Sequence, residues 1–182
     1  MRLAAARLRG HPVVRWAPTL ALLLPLAALV HGPGDVASLT AAADLVVHGQ
    51  VVRRTSAFGS GGGQIFTTVV VRTLATWKGE PLAELSVLVP GGAVGELSQT
   101  SPGAPEFQDG EEVVLFLHFR AANVYSVERL SLGKFAVGAP PGLPRRALRD
   151  RRGLECVGCG PEEADDLSLD DLRARVLGAL PR

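Results

Sequence analysis

Between residues 44 and 137 the chain alternates short Val-rich runs with Gly- and Pro-bounded turns, and no helical period interrupts them. This pattern constrains the fold more than any other feature. Parallel βαβ units need a crossover of a dozen or more residues, usually a helix, between strands. None is present, so a small antiparallel barrel or sandwich remains. A hydrophobic content of 47% is enough to fill its core.

Individual strands follow from the period-2 pattern. Asp44 opens a β-run to Val52, with Val47, Gly49 and Val51 on one face and Val46, His48, Gln50 and Val52 on the other. Further strands are expected at Ile65–Ala75, Leu82–Val89, Val113–Phe119, Val124–Leu130 and Lys134–Val137, the fourth of these six being the most buried. Residues 55–63 read as a flexible hairpin loop and Trp77–Pro81 as a turn. Residues 90–110 hold five Gly and three Pro and read as a long loop, a length that usually marks function or disorder. Ser38–Ala43 reads as a helical turn with Ser38 as its N-cap.

The flanks have a different character. Residues 1–15 carry Arg2, Arg7, Arg9 and Arg15 and no acid, and an apolar run follows from Trp16 to Val30. That is the layout of a signal peptide over residues 1–30, with cleavage between Ala28 and Ala37. The run is short for a membrane span of ~20 residues, and Pro18 and Pro25 break it. The expected location is therefore secreted or periplasmic, with no stable membrane span after cleavage. Beyond residue 30 there are 15 basic and 18 acidic side chains, a net charge of −3, so no nucleic-acid partner is expected. The barrel domain is assigned to residues 31–138. Residues 139–167 read as a linker rich in Pro, Arg and acids, with its Arg block at 145–152 solvated. Residues 168–182 read as an amphipathic helix capped by Ser168, with an apolar stripe of Leu169, Leu172, Val176, Leu177 and Leu180.

Catalytic signatures are missing. There is no Gly-x-Ser-x-Gly elbow, no Ser-x-x-Lys, no His-Glu-x-x-His helix and no calcium loop. The chain is read as non-enzymatic, with no cofactor and no metal. Cys156-Val-Gly-Cys159 is the sharpest local pattern. It admits a structural disulfide, a redox pair, half a metal site or an intermolecular link. An oxidising compartment and the loop-like Gly158 and Gly160-Pro161 favour the disulfide. His48 and His118 both lie in strands; a shared metal and two separate polar positions are the alternatives. Glu111 and Glu112 are adjacent, so in a strand they point to opposite faces.

One stretch resembles a known family. Ala42-Ala43-Asp44-Leu45-Val46-Val47-His48-Gly49-Gln50-Val51, the strand ending at Trp77-Lys78-Gly79, and Gly110-Glu111-Glu112-Val113-Val114-Leu115-Phe116-Leu117 resemble netrin-like and tissue-inhibitor-of-metalloproteinase-like domains. The resemblance covers residues 38–137. It implies an OB-like barrel of five or six strands with a C-terminal helix. The inhibitors of that family chelate zinc through an N-terminal cysteine, and no cysteine precedes Cys156 here, so that mechanism does not transfer. The function expected is an exported, non-catalytic binding module, with an accessory or inhibitor of a secreted protease as its specific form. Its partner would be an extracellular or envelope protein, held by loops 55–63 and 90–110 through Phe58, Pro90, Gly91, Gly92 and Phe107. Alternatives are a thiol redox or metal-binding protein using Cys156 and Cys159, and a structural envelope protein.

Overall fold

A computed structural model gives the structure of the protein. It describes residues 29–31, 34–139, 141–149, 155–157 and 165–181, with backbone alone at 29–31 and 155–157. The element order is β1 (Leu29–His31), α1 (Val36–Ala42), β2 (Leu45–Phe58), β3 (Ile65–Lys78), β4 (Glu84–Pro90), β5 (Gly92–Val94), β6 (Leu97–Gln99), β7 (Glu112–Ala121) and β8 (Val124–Val127). A 3-10 turn (Leu130–Gly133) then leads to β9 (Lys134–Gly138), β10 (Arg146–Arg149), β11 (Glu155–Val157), β12 (Asp166–Ser168) and α2 (Leu169–Gly178).

Five strands close on themselves. β2 pairs with β3, β3 with β4, β4 with β8, β8 with β7, and β7 returns to β2. In chain order the circuit runs first, second, third, fifth, fourth, which is a five-stranded OB-type barrel. The expected fold class therefore holds, with one correction: the β4–β8 pairing is parallel, Ser86 opposite Val124 and Val87 opposite Tyr125. The first half of β7 also pairs with β9, and β9–β10–β12 extend the sheet beyond the barrel.

Alternation along β2 and β7 feeds two cores. Leu45, Val47 and Val51 join Val113, Leu115, Leu117, Val69, Val71, Leu85 and Val87 inside the barrel. Val46, Val114 and Phe116 point outward, where α1 and α2 cover them with Leu39, Leu172 and Val176. Both faces are thus dry over Leu45–Val47 and Val113–Leu117, which is why these stretches read as unbroken apolar runs. Gly49 lies on the inner face, where a Cβ would stand 2.6 Å from Val71 Cγ1 and 2.8 Å from the Arg72 carbonyl oxygen.

Several boundaries move. β2 continues to Phe58, so the loop expected at 55–63 shrinks: Thr55 and Ser56 stay in the ladder opposite Thr68 and Thr67. β3 continues to Lys78, whose ammonium donates to the carbonyls of Thr40 and Ala43 at 2.6 Å each and so anchors the end of α1. The expected turn at Trp77–Lys78 is therefore strand, with Trp77 buried. Residues 90–110 are not structureless, because β5 and β6 form a hairpin within them. The strand expected at 124–130 stops at Val127. The 3-10 turn follows, entered through Arg129 and Leu130 with φ of +52° and +58°.

The linker reading of 139–167 is corrected most. β10 and β12 belong to the main sheet, Ala147 is buried, and Arg149 is buried in the Arg block expected to be solvated. Its guanidinium lies 4.5 Å from the Phe135 ring centroid and donates to the Gly34 carbonyl at 2.7 Å. Aromatic contact and a carbonyl acceptor make that burial tolerable. In α2, Leu169, Leu172 and Val176 are buried while Leu177 is exposed, so the apolar stripe is narrower than its sequence. Ser168 caps α2 as expected, accepting from the Asp171 N–H at 3.0 Å.

The cap of α1 is Asp35 rather than Ser38. Its carboxylate accepts from the Ser38 N–H and the Ser38 hydroxyl, both at 2.7 Å. Asp35→Ala is expected to cost about 1 kcal/mol, read as a shift of the urea midpoint. Ser38→Ala, which keeps the backbone bond, should cost less.

Candidate functional site

Four of the five expected binding residues meet in one place. Pro90, Gly91, Gly92 and Phe107 line a cleft of about 710 Å³ at the end of the barrel, between the β5–β6 hairpin and residues 104–108. Phe58 is absent from it; this residue ends β2 opposite Ile65 and is 47% exposed. Phe107 is corrected as a surface anchor, since it is 5% exposed and packs into the barrel core. A lone aromatic in a Gly/Pro-rich segment gains more by plugging the barrel end than by facing water.

The segment is fastened rather than free. Lys134 donates to Glu111 at 2.7 Å and to the Glu106 carbonyl, and stands 4.7 Å from the Phe107 ring centroid. The second Glu111 oxygen accepts from the Gln108 N–H at 3.0 Å. Arg54 donates to Asp109 at 2.9 Å and to the Phe107 carbonyl. On the opposite rim, Gln99 accepts from the Ile65 N–H at 2.7 Å and Thr67 donates to the Gly91 carbonyl at 2.8 Å. Gly91 and Gly92 take φ of +98° and +135°, which lets the hairpin fold down onto Ser56 and Thr67.

Sequence reasoning passed over Arg54, Gln99, Lys134 and Ser131. The reason at Arg54 is specific. A register shift between Val51 and Arg53 advances the alternation by one residue, so Arg54 sits opposite Val69 on the inner side. Lys134 was readable only as a strand start, although it is one of two lysines in the chain.

A second polar cluster lies on the outer face of the barrel. His48 donates through Nε2 to Glu112, which also accepts from Arg145, and the His48 ring stands 5.9 Å from that of Trp77. Glu111 faces the cleft and Glu112 this outer cluster, so the adjacent acids do point apart. His118 pairs instead with Asp44 at 2.9 Å. Opposite His48 stands Val114, four residues along β7 from His118, so the two imidazoles share no site. Among the described residues no group of three or more His, Cys, Asp or Glu side chains gathers as a metal would require. Cys156 lies in β11 with only its backbone described, and Cys159 lies outside the described residues, as does the expected signal through residue 28. No described helix is long and apolar enough to cross a membrane.

Burial, and then the Arg145 charge, hold His48 below the usual imidazole range. Glu112 does not reverse this because it is shared with Arg145. The unfolded chain therefore takes up a proton near pH 6.5 while the fold resists it. The stability from neutral His48 is complete above about pH 6.5 and declines as pH falls toward the depressed folded value. Wild type should lose stability between about pH 7 and pH 5 more steeply than His48→Gln, measured by urea unfolding across that range. Parallel pH profiles would remove His48 as the cause.

No protein-family model matches the chain, and comparison with curated proteins finds no significant match.

A wider groove of about 770 Å³ runs along Thr73–Gly79 beside Leu180 and Pro181. It contains none of the expected site residues.

Proposed function

We propose that the chain is an exported, non-catalytic binding module whose partner seats in the cleft at the barrel end. One observation carries this reading: the cleft is preformed, its rim clamped by Lys134, Arg54 and Gln99 on a closed barrel. Its volume of about 710 Å³ lies within the ~300–1,000 Å³ typical of ligand sites. A rigid frame lowers the ordering cost of binding. The Arg2–Arg15 cluster and the apolar run to Val30 support export, and an extracellular or envelope protein is the partner class this implies. An accessory or inhibitor of a secreted protease remains the specific form.

Thr100 is exposed on the cleft wall, so Thr100→Trp fills the cleft without entering either core. The test captures partners of the full chain from the producing cell's secreted and envelope fractions, with wild type and Thr100→Trp side by side. A partner held by wild type and lost by the variant is expected. The same proteins recovered with both would overturn the reading.

A further inference from the structure

We infer that the signal peptide is removed by hydrolysis of the Ala28–Leu29 peptide bond, so that the mature protein starts at Leu29 and keeps Gly34 and Asp35. The inference rests on the chain being exported. Water supplies the hydroxyl that makes the Ala28 carbonyl a carboxyl group and the proton that makes the Leu29 nitrogen an amine. A signal peptidase is the class of enzyme that performs this step.

The first ground is what the fold needs. Gly34 is buried, and its carbonyl accepts from the Arg149 guanidinium at 2.7 Å. The Arg149 side chain is wholly buried, over the Phe135 ring and 3.9 Å from Asp165. A cut at the Gly34–Asp35 bond would remove the Gly34 acceptor and turn the Asp35 amide into an ammonium group. A buried cation would then lose a hydrogen bond and gain a like charge close by. A cut after Ala37 would remove more. It would take Asp35, which caps α1 by accepting from Ser38, and Val36, which is buried in the outer core. The fold does not steer a peptidase acting on an unfolded chain, but it decides which product is a stable protein.

The second ground is the pattern of small residues that such a cut requires on the signal side of the bond. Gly32-Pro33-Gly34 fits it, but directs the cut to the Gly34–Asp35 bond. Val30-His31-Gly32 directs the cut to the Gly32–Pro33 bond, whose nitrogen belongs to a proline ring. Ala27-Ala28 is the small pair that spares both Gly34 and the proline bond. Pro25 stands just before it, as a helix breaker between the apolar run and the bond to be cut.

The third ground is β1. It starts at Leu29 and pairs in parallel with β11, Leu29 opposite Glu155 and Val30 opposite Cys156. A cut after Ala28 keeps this strand whole, whereas a cut after Gly32 removes it.

The test expresses the full chain in the producing cell and reads intact mass and N-terminal sequence in the secreted and envelope fractions. Wild type should start at Leu29. Ala28→Trp removes the small residue before the bond and should lose the form that starts there. Gly32→Trp spoils both competing patterns at once and should still give the Leu29 start, at the yield of wild type. A wild-type start between Val30 and Gly34, or a Gly32→Trp chain that stays at full length, would overturn the inference. A start at Asp35 or later would overturn it and show in addition that the fold tolerates the loss of Gly34. Full-length wild type in the envelope would overturn the cut and leave export standing. Wild type found only inside the cell would overturn the export reading, and the inference with it.

Discussion

Phe135→Ala is expected to destabilise the fold by about 3–5 kcal/mol, with the slope of the urea transition unchanged. Phe135 is completely buried, and its strand joins the barrel to the extension: it sits opposite Val114 of β7 on one side and Arg149 of β10 on the other. Its ring lies 6.0 Å from that of Phe116 and beneath the Arg149 guanidinium. Truncation opens a cavity in the outer core between the sheet and the two helices, and the ladders to β7 and β10 keep the backbone from closing over it. It also strips the aromatic face from a buried cation. A loss below about 1 kcal/mol would mean that β9 and β10 contribute little to the folded unit.

Gly92→Val should cost about 2–6 kcal/mol and, on the proposed reading, abolish capture of the partner as well. At φ +135° a side chain is strained by about 1–3 kcal/mol. The added Cβ would stand 2.4 Å from Thr67 Oγ1 and 2.5 Å from Ser56 Oγ, and overpacking adds about 1–3 kcal/mol. Relieving the clash means moving Thr67, which breaks its bond to the Gly91 carbonyl and lifts the β5–β6 hairpin from β2 and β3. Gly95→Ala is the control. Gly95 has φ +60° but nothing within 4 Å of an added Cβ, so it should show strain of about 1 kcal/mol and an intact cleft. Similar losses in both variants would show that the contact with Ser56 and Thr67 is unimportant.

These two substitutions fall on features of different legibility. Phe135 stands in a short apolar run, and its membership of a strand follows from alternation alone. The packing of Arg149 over its ring does not, because five arginines in eight residues read as a solvated block when only composition is considered. Pro90, Gly91 and Gly92 stand out as a loop signal, and the structure does bring them together with Phe107. What composition misjudges is mobility. A segment rich in Gly and Pro looks free, yet its glycines let it approach β2 and β3 closely, and the charges of Lys134 and Arg54 then hold it there.

The sequence by itself determined the presence of the five barrel strands and β9, the exclusion of βαβ architecture and the C-terminal helix with its Ser168 cap. Each follows from side-chain period or a local hydrogen bond within a few residues. Only the tertiary structure decided that β7 bonds to β2 along one edge and to β9 and then β8 along the other, so that a barrel and a sheet extension share one strand. It alone turned Arg54 inward, since one register shift reverses the faces of every residue after it. It also set Lys134 beside Glu111 and His48 beside Glu112, pairs separated by 23 and 64 residues. Contacts at such separations depend on how the barrel closes, and closure is a property of all five strands together.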